Sequence, residues 1–385
     1  MTQRSAPPRT ILSGATIFDG TTLRIGHALV IEKGHVAAIL PEGAAPEGAR
    51  ITLPGGTLAP GFIDLQVNGG GGLMVDGSTD VAALRQICAA HIGLGATGIL
   101  PTLITDTPEA TASVIAAGIA AAAAQVPGFL GLHLEGPHLD PRRKGAHDPA
   151  LIRAMDATDL ARLCDAAQAL PALVVTVSPA SVTPEQIATL TAAGVIVSIG
   201  HSEATEAEAR AAFRAGARCV THLFNAMSQL GNREPGLVGA TLDSTVAAGL
   251  IADGLHVAPS TLRVALAARP HGLFLVSDAM AVAGTELTEF MLGGRRILRK
   301  DGRLVLEDGT LAGADLSLPR AVQVLVQSVG TPPERALAMA SAIPAQLIGA
   351  ATRVGHLAPG MAADIVHLGH DWGLQGVWKG GVKQQ

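Results

Sequence analysis

The chain has 385 residues, 48% of them hydrophobic and 15% charged, with a net charge of −5. That length suits two domains or one large barrel with an attachment, and that composition excludes a disordered chain. The acidic balance, with Arg142-Arg143-Lys144 as the only basic run, excludes general nucleic-acid binding.

In chain order, Ile11–Phe18, His27–Glu32 and His35–Leu40 read as strands separated by turn signals such as Asp19-Gly20 and Lys33-Gly34. Ala363–Leu368 repeats this texture after a turn at 355–360. The two chain ends are therefore expected to meet in one small β-sandwich domain, residues 1–59 and 356–385. Between them, from 60 to 355, short apolar runs alternate with helical stretches, as β/α units do. Eight runs are counted: Gly61–Val67, Gly98–Leu103, Gly128–Leu134, Leu173–Ser178, Val195–Ile199, Cys219–Leu223, Ala247–Ala252 and Leu273–Val276. Eight such units predict a (β/α)8 TIM-like barrel, with an open doubly wound sheet as the alternative. Val114–Ala124, alanine-rich and too short to cross a bilayer, predicts a buried or half-buried helix and no membrane partner. Met291–Glu307 predicts a flap hairpin. Cys88, Cys164 and Cys219 are odd in number and far apart, so no disulfide framework is expected. Together with an N-terminus that lacks the apolar core of a signal peptide, they point to a reducing cytoplasm.

The polar residues track the ends of the runs. The first ends in Gln66 and Asn68, the third in Glu135, the fifth in His201 and the sixth in His222. Asp253 and His256 follow the seventh, and Asp278 follows the eighth. In a barrel all of these project at the C-terminal mouth, where active sites are built. Glu135, His201 and His222 form a two-histidine, one-carboxylate set suited to one divalent metal per subunit. Zn²⁺ stands first, with Fe²⁺ or another divalent ion as the alternative. Three protein ligands leave a position open for water.

Asp278 fits a general base that takes a proton from water and returns it to a leaving amine. Its alternative is an N-cap for the segment beyond. His147 and His256 sit in loops after strands, as substrate contacts or as idle surface residues. His147 could donate to a sugar hydroxyl or to a developing oxyanion. Arg233 is a candidate phosphate clamp, or a surface partner of Glu234. Phosphate-loop, dinucleotide and serine-hydrolase signatures are absent.

Pro60-Gly61-Phe62-Ile63-Asp64 resembles the strand-1 entry of the amidohydrolase superfamily. His133-Leu134-Glu135-Gly136-Pro137, Gly200-His201-Ser202, Thr221 to Met227 and Ser277-Asp278-Ala279 together resemble the N-acetylglucosamine-6-phosphate deacetylase family. Gly309–Gly313 and Gly360 to Asp364 add to the match, which runs from about residue 10 to about 370. The resemblance implies that Glu135, His201 and His222 bind the metal and that Asp278 is the acid and base. It implies that His147 polarises the acetyl carbonyl or holds the sugar, beside Ala146. Asn225, Ala226, Arg233 and His256, with the Asp253 loop, would hold the sugar phosphate, and Leu311, Ala312 and Gly313 would contact the substrate. A homodimer is implied too, with part of the phosphate site reaching across its interface.

One departure stands out. Most of the superfamily carries His-x-His at the end of strand 1, whereas this chain has Gln66 and Asn68. Amides are poor ligands for zinc-like ions, which argues for a single metal. The expected reaction is hydrolysis of the acetamide of N-acetylglucosamine 6-phosphate to glucosamine 6-phosphate and acetate. The alternatives are the galacto epimer, another N-acyl substrate, or a barrel that only binds.

Overall fold

Short apolar runs cannot satisfy their own backbone groups, and a sheet satisfies all of them at once. In a computed structural model, which describes residues 9–384, the eight runs form one eight-stranded sheet. Its strands are β1 (Phe62–Val67), β2 (Ala96–Ile104), β3 (Leu132–Glu135), β4 (Leu173–Val177), β5 (Ile196–Ile199), β6 (Cys219–Val220), β7 (Ala247–Leu250) and β8 (Leu273–Leu275). Each neighbours the next in chain order, and the pairings from β2 through β8 are parallel. The sheet then closes. The Asp278 N–H donates to the Gln66 carbonyl at 3.1 Å, and the Asn68 N–H donates to the Ala279 carbonyl at 2.8 Å. Closure removes the open-sheet alternative and brings the ends of β1 and β8 side by side.

The connecting helices start where the sequence supplies caps. Thr107, Asp156, Thr183 and Thr205 each accept an N–H from the first turn of the helix that follows, and three of these are reciprocal capping boxes. The predicted alanine-rich helix is Pro108–Ala123, with Val114, Ile115, Ala117 and Ala121 on its buried side. No helix among the described residues is long and apolar enough to cross a membrane. The stretch read above for a signal peptide lies, up to residue 8, outside the described residues.

The chain divides into two units. One holds Asp64–Ala90 and Ile99–Leu316; the other holds the described residues up to Ile63, His91–Gly98 and Ser317 onward. In the second of these, the two chain ends meet as expected: Thr57–Pro60 pairs antiparallel with Ile365–Leu368. A four-stranded and a six-stranded sheet share a core of Leu12, Ile17, Leu29, Leu58, Ile365 and Trp378. The predicted strand Ile11–Phe18 is in fact two. Arg9–Ser13 belongs to the smaller sheet and Thr16–Phe18 to the larger. The chain crosses between them at Gly14, where φ is +83° and a β-carbon would lie 2.5 Å from the Leu53 carbonyl.

The predicted flap hairpin is larger than expected. Glu289–Leu292, Arg295–Lys300, Arg303–Val305 and Leu311–Ala314 form a four-stranded antiparallel sheet. Gly293-Gly294 and Asp301-Gly302 take positive φ at both positions, as tight hairpin turns require. Leu292, Ile297, Leu304 and Ala312 pack with Met280 and Val282 beneath it.

The β1–β8 seam is pinned by a buried carboxylate. Asp64 accepts the Ser277 N–H on both oxygens and the Gln66 N–H on one, all at 3.2 Å. Burial pushes its pKa up to about 7, against the pull of those bonds. A carboxyl raised in the folded state stabilises it fully below the unfolded value, about 3.9, and loses that contribution as pH rises through the folded value. Asp64→Asn keeps the acceptor oxygen and removes the titration. Stability measured by urea denaturation should therefore fall less between pH 4 and 7 in the variant than in the parent. Parallel curves would mean that Asp64 does not titrate in this range.

Candidate active site

The C-terminal ends of the barrel strands surround one cavity of about 370 Å³, within the size range of small-molecule sites. Its lining includes Glu135, Ala146, His147, His201, His222, Asn225, Ala226, His256, Asp278, Leu311 and Gly313. The fold thus gathers most of the residues singled out from the sequence. His201, His222 and Asp278 take φ of +45°, +27° and +53° just beyond β5, β6 and β8. Such backbone costs on the order of 1 kcal/mol or more each and concentrates at functional sites. Here it turns all three side chains into the same mouth.

Glu135 lies at the centre of the cluster. Its Oε1 is 3.2 Å from His201 Nε2 and 3.1 Å from His222 Nε2, and the two nitrogens are 3.1 Å apart. Zinc ligands at about 2.1 Å in a tetrahedron lie about 3.4 Å from one another, so this triangle has the dimensions of one face of a metal site. His201 is oriented by a bond from Nδ1 to the Arg143 carbonyl at 2.8 Å, the usual support for a ligating imidazole. Donor atoms of Glu135, His147 and His201 also come within 4.8 Å of one another, so geometry alone offers a second ligand set sharing two members with the first.

The charges agree with this reading. Burial alone would raise Glu135, but hydrogen bonds from His201 and His222, and their charge, hold it well below the usual carboxylate range. Burial would lower His222, yet its bond to Glu135 and the charges of Glu135 and Asp278 raise it. His147 is driven well down by burial and then by the charge of His201, which keeps it neutral. Asp278 is pushed up to about 6, by burial first and then by Glu135, despite the opposing pull of His222, His256 and Asn68. No helix begins at Asp278, and the next element is the strand Glu289–Leu292, so the capping alternative falls away.

Gln66 and Asn68 stand where the wider superfamily keeps histidines, and here they bind carboxylates. Gln66 Nε2 donates to Glu135 Oε1 at 3.1 Å and to Asp278 Oδ1 at 3.3 Å. Asn68 Nδ2 donates to Asp278 Oδ1 at 2.7 Å. The oxygen of the Asn68 amide is buried without a partner, and Asn68 borders the cavity, where a ligand donor could meet it.

Three predicted residues stand apart from the lining. Asp253 touches the lining only through His256, whose Nδ1 lies 2.6 Å from its carboxylate. Ala312 is fully buried among the flap's apolar side chains, because alternation along the strand sends only its neighbours Leu311 and Gly313 to the cavity. Arg233 is exposed and outside the lining. Glu234, its proposed surface partner, instead accepts the N–H groups of Glu206 and Gly236. Thr105, bonded to His147, is not among the residues the sequence singles out. Arg142 and Arg143, in the sequence only a short basic run, border the cavity while paired with Asp140 and Glu203. Thr105 lies two residues past the second apolar run and directly after β2, so its place at a strand end was the available signal.

An eight-stranded barrel carrying a carboxylate and two histidines at its mouth defines a class, and comparison with known proteins places the chain in it. The chain belongs to the amidohydrolase family, whose model matches residues 57–382. It is 40% identical to an N-acetylgalactosamine-6-phosphate deacetylase of Shewanella sp. (strain ANA-3), over 86% of this chain and 83% of that one. It is 35% identical to an N-acetylglucosamine-6-phosphate deacetylase of Haemophilus influenzae, over 88% and 89%. The crystal structure of N-acetylglucosamine-6-phosphate deacetylase from Pasteurella multocida superposes with a TM-score of 0.93 at 34% identity, covering 98% of this chain and 99% of that one.

The two candidate ligand sets differ in His222 and His147. His222→Ala should reduce the divalent metal retained through gel filtration from about one per chain to a small fraction of that. Undiminished metal content by mass spectrometry would remove His222 from the set.

Proposed function

We propose that this protein hydrolyses the acetamide of N-acetylglucosamine 6-phosphate to glucosamine 6-phosphate and acetate. The observation that carries the reading is the pairing, in one cavity, of the Glu135–His201–His222 triangle with a buried carboxyl, Asp278, held close to neutral pH. Glu135, His201 and His222 would hold one divalent ion, zinc foremost. Bound there, such an ion supplies Lewis-acid polarisation of the amide carbonyl and acidifies a water.

The protein's own groups account for the remaining steps. Asp278, gripped by Asn68 and Gln66, takes a proton from the attacking water. Its raised pKa suits a group that must accept and then return a proton near neutrality. His147 faces the carbonyl oxygen and stabilises the charge that develops there. Asp278 then protonates the departing amine. Asn225, Ala226 and His256 hold the sugar phosphate, and Leu311 and Gly313 cover the sugar from the flap. The barrel segment, residues 60–355, is the catalytic part. The three cysteines, none of them in a disulfide among the described residues, suit a reducing cytoplasm.

A second reading shares all of this chemistry but prefers the galacto epimer, and it is favoured by the 40% identity to a relative with that name. Acetate release from N-acetylglucosamine 6-phosphate, N-acetylgalactosamine 6-phosphate and unphosphorylated N-acetylglucosamine separates the two. Faster release from the gluco phosphate supports the first reading, and the reverse order supports the second. Asp278→Asn should lower turnover by several orders of magnitude while leaving metal content unchanged. Near-normal turnover would remove Asp278 as the base.

Arg233 is exposed on a single chain and would serve the cavity of a partner subunit in a homodimer. Co-expressed Arg233→Ala and Asp278→Asn chains, each impaired alone, should then recover about a quarter of parental activity. Half of the dimers are mixed, and each mixed dimer has one complete site. Recovery no greater than the sum of the two variants alone would place Arg233 outside the partner's site.

A further inference from the structure

His147 and His201 present chemically similar rings to the same cavity, with centroids 4.3 Å apart. Their backbone partners are opposite in kind. His201 Nδ1 lies 2.8 Å from the Arg143 carbonyl, which can only accept. In a metal-loaded site the proton of a neutral His201 would therefore be on Nδ1, leaving the Nε2 lone pair free to ligate the ion. His147 Nδ1 instead receives the backbone N–H of Thr105 at 3.2 Å, and a backbone N–H can only donate. The Thr105 hydroxyl also lies 2.7 Å from that nitrogen, closer than its 3.5 Å to the Glu135 carbonyl, so its single hydrogen goes to Nδ1 as well. With Nδ1 accepting twice, the proton of a neutral His147 must sit on Nε2.

We infer that Thr105, at the end of β2, is a positioning residue that fixes His147 as an Nε2–H donor and thereby excludes it from the metal ligands. Two rings of one residue type are thus assigned opposite functions by what lies behind them. His201 offers a lone pair, and His147 offers a hydrogen to a carbonyl oxygen. The assignment decides between the two ligand sets that geometry leaves open, in favour of Glu135, His201 and His222.

The packing behind Thr105 is specific. A β-carbon on Gly136, where φ is +92°, would lie 2.3 Å from the Thr105 hydroxyl oxygen. Glycine directly after Glu135 is what lets β2 and β3 approach closely enough for the hydroxyl to reach His147. Thr105 is itself buried, so water cannot substitute for it at Nδ1. The inference that this tautomer aids turnover rests on the deacetylase reading, whereas the tautomer itself does not.

The test has a spectroscopic arm and a kinetic arm. In metal-loaded protein labelled with ¹⁵N-histidine, the His147 signals, assigned by their loss in His147→Gln, should show a protonated Nε2 and a bare Nδ1. In the cadmium-113 form, His201 and His222 should couple to the metal through Nε2, and His147 should not. Thr105→Val removes only the hydroxyl. It should lower kcat about ten- to a hundred-fold, as loss of an outer hydrogen bond does at such sites. KM and metal content should hold, and Thr105→Ser should recover most of the lost turnover. A proton on Nδ1 of His147, cadmium coupling to His147, or an unchanged kcat in Thr105→Val would each overturn the inference. A protein inactive on every sugar phosphate would instead fail the deacetylase reading, and the spectrum would still decide the tautomer.

Discussion

Glu135 is a carboxylate with 3% of its side chain exposed, at the base of the cavity. A buried charge without partners costs several kcal/mol, so the surroundings of this residue are tightly constrained. Gln66, His201 and His222 all aim nitrogen at it, and they arrive from the ends of three different strands. Strand closure, the left-handed backbone at the two histidines and the bond from His201 to the Arg143 carbonyl all serve that convergence. A divalent ion held by Glu135, His201 and His222 would satisfy the carboxylate and both imidazole lone pairs together.

Asp278 forms the opposite pole of the same network. Gln66 touches both carboxylates, so one amide links the metal-type group to the proton-transfer group. Glu135 is held ionised by its imidazoles, while burial and the charge of Glu135 leave Asp278 near neutral pH. Two carboxyls about one amide thus acquire different tasks from their environments. Had β1 carried histidines in place of Gln66 and Asn68, both positions could ligate metal, and Asp278 would lose the amide donors that now hold it.

Much of this was legible in the chain. The eight apolar runs match eight strands because a parallel strand covered on both faces must be apolar on both. Glu135, His201, His222 and Asp278 stood out because each lies at or just beyond the end of such a run. Other features were hidden for physical reasons. Ile11–Phe18 reads as one strand, and only contact with Leu53 shows why the chain must break at Gly14. Ala312 lies within a motif that meets the cavity, yet pleating turns its side chain into the flap's core. Thr105 has no chemistry of its own that would mark it, since its importance lies in which nitrogen of His147 it touches.

The number and order of the strands, the residue types at the barrel mouth and the family can all be read from the order of residues along the chain. These are recorded in local periodicity and in motifs, which need no knowledge of distant contacts. How those residues can act follows from the folded arrangement. Closure of β8 onto β1 set Asp278 beside Asn68, burial raised one carboxyl while its neighbours lowered the other, and backbone groups from remote loops chose which nitrogen of each histidine is bare. Those outcomes depend on distances of about 3 Å between residues tens to hundreds of positions apart, where hydrogen bonding and desolvation act and sequence spacing carries no signal.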